Sequence, residues 1–205
     1  MEQRSVEWFQ ARLGKITGSR FGDVLTEPRS KKDKELGVLS KTAESYMLEL
    51  ITEKLVGEPR KLSGEALDWG TNTEPEAIEY YEMTTFNEVE AVGFVEINED
   101  VGGSPDGLVE TDGMIEVKCP FTSANHVKYF LGASIPKGYY AQIQGNLWVT
   151  DRKWCDFISY DPRIKDPKKR MFILRVERDE DFIKNLESKI ASFIVQLNSK
   201  LEKLK

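Results

Sequence analysis

The chain has 205 residues, of which 40% are hydrophobic and 31% are charged, and its formal net charge is -6 at pH 7. This length and composition predict one domain, residues 1–205, that buries a full core. No apolar run approaches the roughly 20 residues that cross a membrane, and the first residues lead into no signal-peptide core, so we expect a cytoplasmic protein without a membrane partner. The chain has two cysteines, which excludes an iron–sulfur cluster held by four cysteines. Its single histidine, His126, is not in a sequence typical of a catalytic Ser or Cys nucleophile, so a histidine-based triad is not expected.

The first half of the chain is predicted to be mainly helical. Its cap and stop residues predict four helices, at residues 6–13, 19–25, 41–56 and 73–83. Thr73 and Pro75 mark the start of the last helix, because proline fits the first helical turn. The basic run 29–34 has no apolar period and predicts a loop.

The second half alternates between strands and helices. Strands are predicted at residues 89–97, 107–110, 114–119, 154–160 and 171–176, and helices at 122–131, 136–148 and from 179 onward. This order is typical of an α/β protein. The sequence holds no internal repeat, Walker A loop or glycine-rich phosphate cradle, so nucleotide hydrolysis is not supported.

The most informative stretch joins Ser104-Pro105-Asp106-Gly107 to the strand Ile115-Glu116-Val117-Lys118 through a short polar turn. Side chains two apart in a strand lie on one face, so Glu116 and Lys118 project together. The carboxylates of Asp106 and Glu116 suit Mg²⁺, which keeps several waters and can present one as a nucleophile beside a phosphate. Lys118 would hold that water and help to deprotonate it. Together these residues are the minimum set for a metal-dependent phosphodiesterase.

This interpretation depends on the loop between the two strands. A two-residue turn at 112–113 would turn Asp106 away from Glu116. A three-residue loop, 111–113, would pair Asp106 with Lys118 and bring all three groups to one side, as would a bulge in the first strand. In a chain with 31% charged residues, the same pattern also arises by chance on a solvated hairpin.

The negative net charge opposes the basic surface expected of a protein that binds nucleic acid. Nucleic acid responds to the local field, however, and positive charge is clustered in residues 29–34 and 163–170. The acidic excess lies largely in predicted helices that can face outward. The net charge therefore counts only mildly against a nuclease.

Several segments resemble, in order and spacing, the exonuclease family of phage lambda, within the viral recombinase alkaline exonucleases of the PD-(D/E)xK nuclease superfamily. They are Arg12-Leu13-Gly14-Lys15-Ile16-Thr17-Gly18-Ser19, Trp69-Gly70-Thr71-Asn72-Thr73-Glu74, Ser104-Pro105-Asp106-Gly107, Glu116-Val117-Lys118-Cys119-Pro120-Phe121-Thr122-Ser123, Tyr140-Ala141-Gln142-Ile143-Gln144, Trp148-Val149-Thr150 and Asp161-Pro162-Arg163. The resemblance covers about residues 5–178. It implies an α/β fold with a restriction-endonuclease-like core, in which helices flank a central mixed β-sheet.

The resemblance also implies an activity. Members of this family are ATP-independent exonucleases that enter at the end of linear double-stranded DNA, digest the 5′-ended strand processively, and leave a 3′ single strand for an annealing protein. We therefore expect a ring-shaped homotrimer, a single-strand annealing partner and a phage or prophage origin in a bacterial host. The expected cofactor is Mg²⁺, as two ions, with Mn²⁺ able to substitute.

The matched positions assign expected roles in the chemistry. The metal-binding set would be Glu74, Asp106 and Glu116 with the backbone carbonyl of Val117, and Lys118 would position the attacking water. From the residue type alone, Glu74 could equally be a first-turn helix acid that the helix dipole favours.

The DNA-binding roles also come from the resemblance. The 5′-phosphate pocket would consist of Arg12, Ser19, Ser104 and Gln142, while Arg29 would reach the DNA and Leu67 would be an apolar wedge at the duplex end. Each type of residue has a plainer structural use. Serines cap helices and form turns, glutamine usually lies on the surface of an amphipathic helix, and leucine most often lies in a core.

Two other classes remain open. One is an endonuclease of restriction or repair type, which the lack of an extra specificity segment disfavours. The other is a non-catalytic scaffold at DNA ends, which the complete Asp-Glu-Lys set disfavours.

Overall fold

The computed structural model describes residues 1–59 and 63–204, which form helices packed around a mixed β-sheet. Helices α1 to α8 span, in order, Val6–Arg12, Phe21–Val24, Lys31–Glu35, Lys41–Val56, Glu65–Thr85, Ala124–Phe130, Lys137–Thr150 and Glu180–Glu202. Strands β1 to β8 span Ile16–Thr17, Val89–Glu90, Val95–Glu96, Val101–Gly103, Gly107–Val109, Gly113–Lys118, Trp154–Tyr160 and Met171–Glu177. Short 3₁₀ turns lie at Gly18–Arg20 and Pro167–Lys169.

The strands of the described residues form two sheets. The larger has the order β2-β5-β6-β7-β8, in which β6 and β7 are parallel and the other neighbours are antiparallel. The smaller has the order β1-β4-β3, with β1 and β4 parallel. The expected central mixed sheet with flanking helices is therefore present.

Strand β6 lies at the centre of the larger sheet and is covered on both faces. Ile115 and Val117 pack in a core cluster with Ala77 and Tyr81 of α5. Met114, on the opposite face, packs in another cluster that includes Ile143 of α7. Because side chains alternate along a strand, Glu116 and Lys118 share the face of Met114 and project toward α7.

A third core cluster lies where α2, α4 and α8 meet. Tyr46 and Met47 of α4 pack there with Phe21 of α2 and with Phe193 of α8. The helix α4 begins and ends as predicted: the side chain of Ser40 accepts a hydrogen bond from the N–H of Ala43, and Gly57 adopts φ of 76° after the last turn. This packing holds the N-terminal third of the chain against the end of α7.

The structure differs from the predicted elements at several places, and the short strands β1 and β4 were not predicted. The helix expected at 73–83 is α5, which begins earlier, at Glu65, and has Pro75 in its interior. Its buried side chains, Thr73, Ala77 and Tyr81, are four residues apart and hold this part of the helix against the sheet. The basic run 29–34 is not a loop throughout: α3 begins at Lys31, and Ser30 caps it by accepting from the N–H of Asp33. Residues 18–20 form a 3₁₀ turn with no side-chain cap. The strand expected at 89–97 is two short strands that pair in different sheets.

None of the helices within residues 1–59 and 63–204 combines the length and the apolar character that crossing a bilayer requires.

Candidate active site

The hairpin of β5 and β6 brings Asp106 to the face that carries Glu116. The pairing runs from Val109 opposite Gly113 to Gly107 opposite Ile115, so the same register continued by one position places Asp106 opposite Glu116. The backbone N–H of Asp106 donates to the carbonyl of Ile115 at 3.3 Å. The two carboxylates therefore lie on one side of the sheet.

The loop that sets this register is not the predicted one. It has three residues, as required, but they are residues 110–112 rather than 111–113. Glu110, not Gly113, adopts the left-handed conformation, with φ of 49°. The predicted pairing of Asp106 with Lys118 is therefore wrong by two positions. A shift of two keeps every side chain on its expected face, which is why the predicted convergence of the three groups still occurs.

Four side chains and one backbone group form the centre of the site. The N–H of Val117 donates to Asp106 Oδ2 at 2.7 Å. The ammonium group of Lys118 contacts Glu116 Oε1, and Asn146 Nδ2 of α7 donates to Glu116 Oε2 at 3.3 Å. Glu116 is fully buried, so these contacts fix its carboxylate in one orientation. Asp106, Glu116, Val117 and Lys118 were all predicted from the sequence, whereas Asn146 was not.

The charges of the site are strongly coupled. Burial, and then the neighbouring charge of Glu116, raise the pKa of Asp106 well above its ordinary value. Burial alone would lower the pKa of Lys118, but the charges of Glu116 and Asp106 outweigh it and raise that pKa. Lys118 is therefore an ammonium ion at neutral pH. It can donate hydrogen bonds and favour deprotonation of a nearby water by its charge.

Glu74 lies at the edge of this cluster, on α5. Its carboxylate contributes to the raised pKa of Asp106, after burial and Glu116. It also contributes to the raised pKa of the Cys119 thiol, which burial chiefly brings to about 12. Glu74 Oε2 accepts a charge-assisted hydrogen bond from Arg4 Nη2 at 2.7 Å. The sequence analysis assigned no role to Arg4.

The donor set suits Mg²⁺ better than a tightly caged metal. Among the described residues, no group of three or more His, Cys, Asp or Glu side chains is arranged to hold a metal ion. Mg²⁺ keeps several of its waters and commonly uses only one or two carboxylates, which Asp106 and Glu116 provide. A partly exposed carboxylate, Asp106, on the same side of the sheet as the buried Glu116 fits a divalent cation at this place.

A second polar region lies next to the carboxylates and contains Arg12. The guanidinium of Arg12 stacks 4.0 Å from the ring centroid of Trp8. Arg12 Nη1 and Trp8 Nε1 both donate to Ser104 Oγ, at 3.3 Å and 2.9 Å. Burial lowers the pKa of Arg12 to about 10, which still leaves it charged at neutral pH. Ser104 precedes Asp106 by two residues, so one turn connects the two regions.

Arg12 lines a cavity of about 180 Å³, to which Ser19 and two further cations, Lys15 and Arg20, also contribute. The cavity wall includes acidic groups as well, and one of them, Glu49, pairs with Arg20 at 2.8 Å. Three cations and two carboxylates thus line this partly enclosed cavity, and the guanidinium of Arg12 is a group there that can bind an anion such as phosphate.

The remaining predicted DNA-binding residues lie further apart. Gln142 lines a separate groove of about 860 Å³ on α7, and Ser19 contributes to both that groove and the cavity of Arg12. Arg29 is exposed just before α3. Leu67 is 47% exposed in the first turn of α5, next to Ala66, which lines a cavity of about 450 Å³ together with Lys118. The DNA contacts of these residues stay predictions.

Arg163 is a correction to the expected basic surface. Its guanidinium forms a bidentate ion pair with the buried Asp161 and donates to the carbonyls of Phe121 and Pro120, each at 2.9 Å. It also stacks 4.2 Å from the ring centroid of Trp69. This side chain therefore holds the loop that follows Lys118. The charge pattern alone does not separate this use from a solvated basic run, although Asp161-Pro162-Arg163 is one of the segments that carry the family resemblance.

Asn146 could have been noticed from the sequence as a polar residue within the apolar pattern of α7. Its Oδ1 has no hydrogen-bond partner among the described residues. A Cβ added at Gly18 or Gly103 would lie 2.4 Å from this oxygen, so both glycines are required by the close approach of the Asn146 side chain.

A mixed sheet whose hairpin sets Asp106 beside Glu116-Val117-Lys118 defines a nuclease of the PD-(D/E)xK type. The comparisons with known proteins agree. The profile of the YqaJ-like viral recombinase domain matches residues 7–153, and the chain belongs to this family. The resemblance to the viral recombinase and alkaline exonuclease family is confirmed.

Solved structures show the same fold. An alkaline exonuclease (LHK-Exo) from Laribacter hongkongensis is 36% identical, with a TM-score of 0.87 over 98% of this chain and 96% of that one. A phage-related exonuclease from Haemophilus somnus 129PT, at 22% identity, has a TM-score of 0.72 over 93% of this chain and 96% of that one, which bears on the fold alone. The protein ExoD of Escherichia coli (strain K12) is 29% identical over 80 residues, 38% of this chain and 90% of that protein. The expected fold class is confirmed, and the relatives support a nuclease.

Proposed function

We propose that the protein is a Mg²⁺-dependent, ATP-independent 5′-to-3′ exonuclease of linear double-stranded DNA. It digests processively, releases 5′-mononucleotides and leaves 3′ single-stranded overhangs for strand-annealing recombination. The observation that carries this proposal is the turn that joins two regions. Ser104 accepts a hydrogen bond from Arg12 and precedes Asp106 by two residues. Asp106 in turn accepts a hydrogen bond from the backbone of the strand that carries Glu116 and Lys118. One short segment thus links a candidate phosphate pocket to a candidate hydrolytic centre.

The hydrolytic centre uses the carboxylates of Asp106 and Glu116, with the carbonyl of Val117 and the peripheral Glu74, to hold metal. Bound Mg²⁺, expected as two ions and replaceable by Mn²⁺, supplies Lewis-acid stabilisation of the phosphate and a water of lowered pKa. Lys118, whose ammonium group contacts Glu116, would hold the attacking water and help to deprotonate it. No histidine or covalent nucleophile is required.

The phosphate pocket supplies recognition of the 5′ end. The guanidinium of Arg12 presents a planar fork that can bind two phosphate oxygens. Ser104 adds a neutral group beside the guanidinium, and Ser19 lines the same cavity. Gln142 is proposed to contact the same strand from the separate groove on α7. A terminal phosphate held in this pocket places the next phosphodiester at the carboxylates, so one nucleotide is released per cleavage.

A related protein supports a mononucleotide product. LHK-Exo has also been solved in complex with dAMP, and that chain is 36% identical to this one. Cleavage of the P–O3′ bond releases a 5′-monophosphate from either end of a strand, so the complex bears on the type of product and not on the direction.

The proposed partners are linear double-stranded DNA with a 5′-phosphorylated end, two further copies of the chain in a ring-shaped homotrimer, and a single-strand annealing protein. The proposed location is the bacterial cytoplasm. Arg29 and Leu67 are proposed to contact the duplex, as a phosphate-binding cation and as an apolar wedge at its end.

A digestion assay tests the proposal. Linear duplex with 5′ phosphates is incubated with the protein in Mg²⁺ or in EDTA, and acid-soluble mononucleotides and the remaining 3′-ended strand are measured. Release of 5′-mononucleotides only in Mg²⁺ supports the proposal. Cutting of closed circular duplex would instead indicate an endonuclease, and lack of any Mg²⁺-dependent release would indicate a non-catalytic scaffold.

Two variants make the assay specific to the site. Asp106→Asn is expected to abolish release. The matched control is Asp112→Asn, which changes an exposed carboxylate in the loop of the same hairpin, where it pairs with Lys153 at 2.8 Å. This control is expected to digest at the wild-type rate.

A further inference from the structure

Arg4 lies in a segment that is fixed to the site by its neighbours. Gln3 Nε2 donates to the carbonyls of Val92 and Pro105, at 2.9 Å and 2.8 Å, and Pro105 directly precedes Asp106. The backbone of Arg4 is left-handed, with φ of 67°, a conformation that side chains larger than glycine rarely adopt. Ser5, the next residue, caps α1. A strained backbone held on both sides at a candidate active site is a pattern associated with function.

The side chain of Arg4 is only partly used by the protein. Its Nη2 donates to Glu74 Oε2 at 2.7 Å, and the guanidinium side chain is 41% exposed, whereas that of Glu74 is 18% exposed. Within residues 1–59 and 63–204, Glu74 is the acceptor found for this guanidinium. The planar guanidinium of arginine has five N–H donors, and Glu74 uses only one nitrogen of it. The other side of the guanidinium can therefore donate to a second acceptor.

The charge of the surroundings indicates what that acceptor is. The charges of Glu116 and, more weakly, Glu74 both act on Asp106, and Lys118 pairs with Glu116. A DNA strand that approaches them meets negative charge, which a cation on the rim offsets. A guanidinium oriented by a carboxylate on one edge binds a phosphate oxygen on the other with little loss of side-chain freedom.

We propose that Arg4 is a substrate-binding residue of the active site, which Glu74 orients so that its free edge binds a backbone phosphate of the DNA strand being cleaved. This inference rests on the proposed function, because it takes DNA as the substrate. It gives Glu74 a second role as the residue that positions Arg4.

The alternative is that Arg4 is only a counter-ion of Glu74. In that case Arg4 competes with metal and touches no DNA, so its removal tightens Mg²⁺ binding and leaves the affinity for DNA unchanged. The two roles therefore give opposite results in two separate binding measurements.

The experiment measures DNA binding without metal or cleavage. Asp106→Asn is the parent protein, the buffer contains EDTA, and the probe is a 5′-phosphorylated duplex with a fluorophore at the 3′ end of the opposite strand. Fluorescence anisotropy gives the binding constant over a range of salt concentrations. Adding Arg4→Gln is expected to weaken binding and to reduce the slope of log binding constant against log salt by about one, the value for one lost phosphate contact.

A matched control and a folding control accompany this variant. Lys153→Gln removes another cation of an ion pair, the one with Asp112 at the far end of β6, and is expected to keep the parent slope. Arg4→Gly suits the left-handed backbone, so it is expected to unfold at the parent temperature or above while binding DNA as weakly as Arg4→Gln.

An unchanged salt slope in both Arg4 variants would overturn the proposal. So would calorimetry showing that Arg4→Gln, in the otherwise wild-type protein, binds Mg²⁺ more tightly while DNA binding stays at the parent level. These results are separate from a failure of the proposed function, since the digestion assay on the wild-type protein reports that independently.

Discussion

The N–H of Val117 donates to Asp106 Oδ2 at 2.7 Å, so the carboxylate that comes from a turn is fixed to the strand that carries the other two groups. The side chains of the residues on either side of Val117, Glu116 and Lys118, contact each other. The N–H of Val117 thus fixes the distance between Asp106, which lies in the turn, and the pair Glu116 and Lys118, which lies in the strand. The geometry of the candidate hydrolytic centre depends on this hairpin more than on any distant contact.

Neutral amides at the two central carboxylates are expected to abolish nucleolysis. Asp106→Asn and Glu116→Gln keep the size of each side chain but remove the charge that makes it a ligand for Mg²⁺. Mononucleotide release in Mg²⁺ measures the loss, and anisotropy with a 5′-phosphorylated duplex in EDTA is expected to show that DNA binding survives. Near-normal release by both variants would contradict the site.

Asp106→Asn is also expected to raise the melting temperature at pH 8 without metal. The pKa of Asp106 is raised in the folded protein, so its contribution to stability is present at low pH and is lost as pH rises through the folded pKa. The asparagine variant does not titrate, so its advantage is expected to shrink toward pH 4. Thermal unfolding at both pH values checks this sign, and a lower melting temperature at pH 8 would count against repulsion in the site.

Lys118→Ala is expected to lower kcat by about 10²-fold, the usual scale for one electrostatic or proton-transfer group. The side chain is an ammonium ion held by Glu116, and alanine leaves that carboxylate without its cation. Single-turnover digestion measures the step. The control is Lys153→Ala, which removes an exposed lysine 71% accessible to solvent and is expected to leave kcat unchanged.

Arg163 and Arg175 make the same kinds of contact at different distances from the candidate site, so their variants can separate an effect on catalysis from an effect on stability. Arg163 pairs with Asp161 and stacks on Trp69, while Arg175 pairs with Asp156 in the same bidentate manner and stacks on Trp154 at 3.5 Å. Lysine at either position keeps the charge and loses the fork. Both substitutions are expected to lower the melting temperature.

Only Arg163→Lys is expected to lower kcat, because Arg163 alone of the two holds the loop after Lys118 through the carbonyls of Pro120 and Phe121. The loss is expected to be between about 10- and 100-fold, the scale of a misplaced reacting group. Steady-state digestion should show little change in KM. Equal losses of kcat in both variants would show that Arg163 acts through stability alone.

The convergence of the carboxylates could be predicted from the sequence because it depends on local rules. Alternation along β6 puts Glu116 and Lys118 on one face whatever the rest of the chain does. The loop was the uncertain part, since left-handed residues other than glycine occur there, as Glu110 shows. Asp106 lies on the face of Glu116 because the actual register differs from the predicted one by an even number of residues. The identity of the left-handed loop residue does not affect this result.

The contacts that could not be predicted join residues far apart in the chain. Arg4 and Glu74 are separated by 70 positions, and Asn146 and Glu116 by 30. Arg163 shows the opposite problem: it lies in a basic run, but packing against Trp69 and a buried aspartate uses its charge inside the fold. Local sequence patterns do not register contacts of this kind.

The oligomeric state is predicted from the family. A ring-shaped homotrimer would enclose duplex DNA and make digestion processive. Light scattering at low micromolar concentration is expected to give about three times the chain mass of 23.5 kDa. A monomer that still digests long duplexes processively would refute the ring as the cause of processivity.

The direction of digestion is predicted to come from Arg12, because the carboxylates and Lys118 could cleave either strand. Arg12 is charged, stacked on Trp8 and bonded to Ser104 beside Asp106, so it is placed to recognise a terminal phosphate. Removing the 5′ phosphate from the substrate is expected to slow the wild-type protein markedly. Arg12→Ala is expected to slow the phosphorylated substrate toward the same level.

The four rates form a double-mutant cycle between a side chain and a substrate group. If Arg12 contacts the 5′ phosphate, Arg12→Ala has little further effect on the 5′-hydroxyl substrate, and the two changes are not additive. Lys15→Ala, at another cation of the same cavity, is the comparison variant and is expected to be closer to additive. If Arg12→Ala slowed both substrates by the same factor, Arg12 would be a general DNA contact or a structural residue, and the 5′-phosphate pocket would lie elsewhere.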